Sequence, residues 1–439
     1  MAVLNTDDAA HLLRRAGFGG TMAQIQALVG QDRATVVEAM LNAAPEPSIA
    51  PVGGVNASDW EHLMALTQWW YSRMLATAAP LVEKMTLFWH GHFCSAHDKV
   101  NDAVLLYRQN QTFRDNALGN FGALTHAVGR DPAMLLYLDN DPNVKGRQNE
   151  NFARELWELF TLGVGNYTQD EVVASARAWT GHGVSEGKGT PTYLYTDARH
   201  DHGTKTIFGV SADWDGDEVL DLTLTNGAKG LTLGVDRQVV AARFIARKLW
   251  AYFAYPNPDP SIVDGLASVF VSSGWDVKAV VRTILNHDAF YSSNAKQGLV
   301  RSPVEFMVAC MKYSGISAGD AHPEWYAQQM GQQLFNPPDV SGWKSNSYWI
   351  SAASFWAKAN FVRNLTWKAN TAKSLPDTKS LTVPMAVQAL LDRFAVTNVT
   401  AATRGALESW LSAERAPKGW AEQPNLFTLV MLTPDFQLA

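Results

Sequence analysis

Apolar positions recur every three or four residues through most of the 439-residue chain, a period that predicts a succession of helices. Ala9, Leu12, Leu13 and Ala16 share one face after Asp7 or Asp8, either of which suits an N-cap, and Gly19-Gly20 marks a stop. An amphipathic run over 23–41 precedes a Pro/Gly/Ser-containing linker over 45–56. Strong helical patterns cover 60–78 and 81–89, separated by Pro80. They continue over 104–118, 120–128 and 132–138, the last with Asp131 as cap and Pro132 in the first turn. The clearest helix spans 151–162, stops at Gly163-Val164-Gly165, and is followed by a helix over 169–179 that Thr168 caps. Between 181 and 233 glycines are frequent, and 204–210 and 220–224 alternate as short strands do. Helical spacing returns over 238–252, 260–272, 277–286, 303–314, 384–394 and 400–413, interrupted at 336–348 by the irregular NPPDVSGW. The pattern predicts an all-α, multi-helical globular array with a small irregular, hairpin-bearing excursion near 181–233. No repeat of 20–50 residues is visible, which argues against a solenoid.

Length exceeds what one small core fills. We read 1–439 as a single helical domain in four parts: N-terminal helices and linker over 1–56, a motif-bearing core over 57–180, a covering insertion over 181–233, and a helical remainder over 234–439. A hydrophobic share of 47% with 18% charged residues fits a globular chain, not a disordered one. The net charge of −6, with no basic stripe, excludes a nucleic-acid binder. No apolar stretch approaches the roughly 20 residues of a membrane span. The start shows no charged-then-apolar leader, so the sequence by itself points to the cytoplasm. With two cysteines, Cys94 and Cys310, neither a disulfide framework nor a Cys-rich zinc site can be built. Tryptophan is the outlier, at 16. Many must be core; others suit a groove in which flat rings stack on sugars.

Three segments carry candidate chemistry. In LVEKMTLFWHGHF, His90 and His92 would diverge on one helix, but Gly91 can end the helix and let both imidazoles turn the same way. Glu83, seven residues earlier, lies on the same face as His90 and suits orienting its ring. The competing reading is a helix end whose histidines bond the last carbonyls. In NENFARELWELF, Asn151, Glu155 and Glu158 flank the apolar stripe, and Glu150 with Arg154 makes an i,i+4 pair on the other flank. Paired carboxylates there suit metal ligation or acid/base work; the alternative is an edge-of-core ion network. In ARHDHGTKTIFG, His200, Asp201 and His202 sit in an irregular stretch, where convergent polar groups more often bind than pack. Asp139, Asp141, Asn143 and Glu150 fall at calcium-loop spacing, but Val144 replaces the required glycine, so a structural turn is expected. Trp343, after NPPDVSG, and Trp349 suit a pocket wall. Nucleotide-binding glycine loops, H-E-x-x-H, G-x-S-x-G and the four-helix di-iron pattern are absent, so no nucleotide cofactor is expected.

The blocks HLLRRAGFGGT, PLVEKMTLFWHGHF, NENFARELWELFTLGVGNYT, HDHGTKTIFG, RSPVEF and FNPPDVSGW, in this order, resemble a large bacterial domain-of-unknown-function family, the one numbered eighteen hundred. The likeness covers nearly the whole chain and implies no particular activity. It does imply envelope or extracellular work, since members are often encoded beside exported, sulfatase-like proteins that would be candidate partners. Where the family has an aromatic residue in its AR-x-x-TGW segment, this chain has His182.

The expectation is a metal-dependent hydrolase acting on a glycan or other hydroxyl-rich molecule. His90, His92 and Glu155 would hold a divalent metal, Glu155 and Glu158 would be catalytic, and Asn151, His200, Asp201 and Trp343 would contact substrate. Glu155 and Glu158 alone, as a glycosidase pair, sit too close on one helix to flank a glycosidic bond. The same ligands fit a metal-dependent oxidase or oxygenase. A third reading is a non-catalytic envelope protein that binds through a Trp-rich face.

Overall fold

The computed structural model describes residues 2–47, 60–185, 187, 189–233, 236–415 and 422–439. The linker expected over 45–56 therefore lies, from 48 onward, outside the described residues. The chain is mostly helical. Among the described residues, sheet is limited to three antiparallel pairs: His182–Val184 with Tyr193–Tyr195, Lys205–Ile207 with Val210–Ala212, and Gly227–Ala228 with Leu231–Thr232. No helix among those described is long and apolar enough to cross a membrane.

Local chemistry explains both agreement and disagreement with the pattern. Helices Pro260–Ser272, Val277–Asn286 and Pro303–Ser314 stand where the spacing puts them. Asp131 and Thr168 cap the helices they were expected to cap. The first helix, Thr6–Arg15, is capped by Asn5, whose Oδ1 accepts the Asp8 N–H at 2.9 Å. Asp7 and Asp8 instead occupy the first turn, facing the positive end of the helix dipole. The run over 23–41 breaks into Met22–Leu28 and Arg33–Leu41 because Asp32 caps a fresh start. The alternation at 220–224 belongs to a helix, Gly216–Thr225, held by a reciprocal capping box between Asp215 and Glu218. The 20-residue helix Ala352–Thr371 was not foreseen.

One apolar cluster runs from Leu4 to Phe436. Trp70, Trp89, Trp157, Trp179, Trp214 and Trp250 are wholly inside it, whereas Trp325, Trp356 and Trp367 are exposed. Threaded through the core is the helix Pro80–His92, with Pro80 in its first turn. Two buried ionic contacts anchor it. Glu83 is fully buried and accepts from Trp70 Nε1 (2.9 Å), Arg73 Nε (2.7 Å), and Arg114 Nε (2.6 Å) and Nη2 (2.9 Å). Burial would raise its pKa, but the bonds and charge of Arg114, with Arg73 and Trp70, hold the carboxyl below its usual range. The next residue, Lys84, pairs with Glu305 of the Pro303–Ser314 helix. Glu83 therefore does not orient His90, as the spacing had suggested; the Trp70 ring stands at the imidazole instead, edge-on at 5.1 Å.

Candidate functional site

The helix Pro80–His92 does not end at Gly91. It runs through the glycine and stops at Phe93, so the roughly 200° divergence of residues two apart is kept. His90 turns inward: its Nε2 accepts the Phe335 N–H at 3.0 Å, and its ring packs against Phe335 and Trp343. Burial pushes its pKa down to about 3. His92 turns the other way. Its Nε2 lies 3.0 Å from the Phe160 carbonyl, to which it donates, and its Nδ1 lies 3.1 Å from Lys248 Nζ, from which it accepts. Gly91 has a different use, as a close contact. Gly342, at φ +79°, lies against it, and a Cβ on Gly342 would stand 2.5 Å from the Gly91 carbonyl and 3.0 Å from Cys94 Sγ.

The second motif helix begins as α-helix, Asn151–Glu155, and widens to a π-helical turn over Leu156–Thr161. Carbonyls of that turn reach the neighbouring helices: Leu159 O accepts from Lys248 Nζ at 2.9 Å, and Phe160 O serves His92. The two motif segments thus meet, but through backbone carbonyls, not carboxylates. Glu155 is half-buried, its pKa raised by burial and then by Glu158 and Asp339, against the opposing pull of Arg154. Glu158 accepts from Tyr167 Oη at 2.6 Å, exposed Asn151 donates to Asp139 at 3.3 Å, and Arg154 pairs with Glu150 at 2.8 Å. The expected ligand set of His90, His92 and Glu155, with Glu158 as catalytic partner, is therefore not assembled among the described residues. Among the described residues, His200, His202 and Asp213 are the one trio of His, Cys, Asp or Glu whose ligand atoms all lie within 4.8 Å of one another.

His200 and Asp201 belong to a different neighbourhood from the glutamates. Asp201 is clamped by Arg177 at 2.7 and 3.2 Å, which holds its pKa near 2, and His200 Nδ1 lies 2.8 Å from Thr180 O. From the excursion, Phe208 packs on Trp157 at 4.9 Å, and the indole donates to Thr223 Oγ1. His182 packs on Trp179 and bonds Tyr193 Oη at 2.9 Å. The residues at calcium-loop spacing disperse: Asp139 pairs with Lys99, Asp141 accepts the Val184 N–H, Asn143 accepts the Asn149 N–H, and Glu150 holds Arg154 and Gln169.

What the fold does assemble is a cavity of about 300 Å³. Phe88, Gly91 and His92 form one side, Lys248 and Tyr252 of the helix Arg237–Phe253 another, and Glu305, Trp343 and Trp349 complete it. Two larger hollows, of about 530 and 610 Å³, hold no histidine. Of the residues expected at a site or pocket wall, the cavity takes in His92, Trp343 and Trp349; Lys248, Tyr252 and Glu305 went unrecognised. Phe244, Lys248 and Tyr252 recur at intervals of four, so a lysine on an aromatic stripe was the available signal. Lys248 Nζ also sits 4.6 Å from the Phe244 ring centre.

Burial pushes the Lys248 ammonium down to about 8. After reductive methylation with ¹³C-formaldehyde, one dimethyl-lysine resonance should titrate near pH 8 and vanish in Lys248→Met. Lys358, lowered likewise, gives a second that Lys358→Met removes. A Lys248 signal titrating with the surface lysines would contradict its desolvation.

A family model described as "Protein of unknown function (DUF1800)" matches residues 11–438. No curated protein and no solved structure matches the chain.

Proposed function

The chain belongs to the DUF1800 family, and from its geometry we propose that it is an enzyme acting on a hydroxyl-rich substrate, a glycan unit, held in the cavity between Lys248 and Trp343. The carrying observation is Lys248: an ammonium with a depressed pKa, on the floor of an aromatic-walled cavity, with His92 Nδ1 taking one of its hydrogens. Such a group releases a proton near neutral pH and suits general acid/base work, hydrolysis being the reaction class we assign. Trp343 and Trp349 offer flat faces to a sugar ring, and Ser341, Gln332 and Asn346 offer hydrogen bonds to hydroxyls. The expected metal set is no part of this reading, because both ring nitrogens of His92 and the Nε2 of His90 are engaged by protein groups. Envelope placement, implied by the resemblance, accords with an extended glycan as substrate.

A panel of neutral and acidic oligosaccharides, followed by tryptophan fluorescence and calorimetry, tests the proposal. A binder should appear whose affinity drops at least tenfold in Trp343→Ala. Lys248→Met should keep binding within a few-fold while abolishing product release by chromatography. Binding indifferent to Trp343, or turnover surviving in Lys248→Met, would refute it. A second reading, a non-catalytic polysaccharide binder, is favoured by Phe355, Trp356 and Trp367, all exposed on the helix Ala352–Thr371. It predicts affinity lost in Trp356→Ala and Trp367→Ala but unchanged in Trp343→Ala.

A further inference from the structure

The irregular stretch around His200 carries an arrangement that the cavity does not use. One ligand atom each from His200, His202 and Asp213 lies within 4.8 Å of the other two. We infer that these three side chains bind a single divalent cation of the zinc class.

The argument rests on how each ligand is held. His200 is buried and its Nδ1 lies 2.8 Å from the Thr180 carbonyl. A proton on Nδ1 satisfies that contact and leaves the Nε2 lone pair free. Nε2 points toward Asp213 Oδ1 at 3.9 Å, too far for a hydrogen bond. A buried imidazole nitrogen aimed at a carboxylate across such a gap leaves room for an ion between them. His202 has the complementary support: its Nε2 lies 3.3 Å from Asp197 Oδ1 and its Nδ1 3.3 Å from Asp213 Oδ2. Nδ1 donates to Asp213; moving that proton to Nε2, beside Asp197 Oδ1, frees the Nδ1 lone pair for a cation. Both histidines are thus oriented by an acceptor on the far nitrogen, one a backbone carbonyl and one a carboxylate, the pattern by which proteins fix metal-binding imidazoles. Asp213 is fixed as well, since Lys205 Nζ donates to its Oδ1 at 2.6 Å.

The backbone serves the same end. The hairpin register Lys205↔Ala212 brings Asp213 back beside His202, and the Arg177–Asp201 clamp holds the residue between the histidines. Two imidazoles and a carboxylate select a borderline cation such as Zn²⁺ over Ca²⁺ or Mg²⁺, which prefer all-oxygen shells. With His202 and Asp213 partly exposed, a fourth coordination position is open to solvent. His126 is a useful contrast: its two ring nitrogens lie 3.2 and 3.1 Å from Asp217 and Asp221, so its carboxylates sit on opposite sides of the ring.

The test uses the full chain purified without a histidine tag. Zn²⁺ is titrated against a chromophoric chelator, and Co²⁺ is followed by visible absorption. One equivalent should bind, with Co²⁺ giving ligand-field bands of a four-coordinate nitrogen/oxygen site, and Zn²⁺ should raise the melting temperature. His202→Gln, at a half-exposed position that tolerates substitution, should weaken Zn²⁺ at least thirtyfold and remove the melting shift. Asp197→Asn should weaken it about tenfold. His126→Gln should leave affinity unchanged. Absence of stoichiometric binding, or equal affinity in the wild type and His202→Gln, would overturn the inference.

Discussion

Glu83→Ala should lower the free energy of unfolding by about 3–5 kcal/mol, the range found when one partner of a buried ion pair is removed. Three side chains lose their acceptor at once. Arg114, whose side chain is 2% exposed, has little access to water in exchange. Its other hydrogen bonds go to Asn110 O and Gln111, neither of which carries a compensating charge. Glu83→Gln keeps the shape and part of the hydrogen bonding, so it should fall between the wild type and the alanine variant. The pH dependence has a definite sign. Because the folded-state pKa of Glu83 is depressed, its stabilisation is fully present above the unfolded-state value and is lost as pH falls through the folded one. The gap between wild type and Glu83→Ala should therefore be widest at neutral pH and close in acid. Urea unfolding at pH 7 and at pH 3 measures both points. A gap below about 1 kcal/mol at pH 7 would mean that Arg114 finds water after all.

Gly342→Ala should cost stability and ligand binding together. At φ +79° a side chain costs of order 1–3 kcal/mol in backbone strain before any contact is counted. The added methyl would also meet the Gly91 carbonyl at 2.5 Å, a backbone atom within a buried helix that cannot swing aside. The loop must yield, and Trp343, the next residue, moves with it. Since Trp343 walls the cavity, the glycan affinity expected of the wild type should fall by more than tenfold, while Gly30→Ala, also at positive φ but with open space around its Cβ, should leave it unchanged. Calorimetry on the two variants separates backbone strain in general from strain at this contact; equal affinities would show that the Gly91–Gly342 approach does not shape the cavity.

The legibility of the sequence differed by element for physical reasons. Helices with a continuous apolar stripe and a polar cap, such as Pro132–Tyr137 behind Asp131, could be read directly. Ala352–Thr371 could not, because Phe355, Trp356 and Trp367 face solvent and blur the boundary between its buried and exposed sides. For His90 and His92 the helical period alone was the correct guide. Gly91 misled because glycine is also admitted to a last helical turn when another chain must pack against it. Lys248 was hidden in plain composition: nothing local to ARKLWAYF says that an ammonium will meet an imidazole 156 residues away. The histidines at 200 and 202 stood out as binding candidates, but their carboxylate lies beyond a hairpin whose weak alternation did not fix its register.

The widened turn at Leu156–Thr161 has a consequence for how this gene can drift. A π turn is equivalent to one residue inserted into an α-helix, the wider winding absorbing the roughly 100° by which that residue would otherwise turn the chain. Losing a single codon here would restore regular winding and leave Asn151, Glu155 and their neighbours close to their present orientation. The carbonyls of Leu159 and Phe160 would then turn back toward their own helix and let go of Lys248 and His92. Length in this stretch is thus as much a determinant of the cavity as residue identity. Substitutions leave the winding in place, whereas an in-frame deletion undoes it in one step.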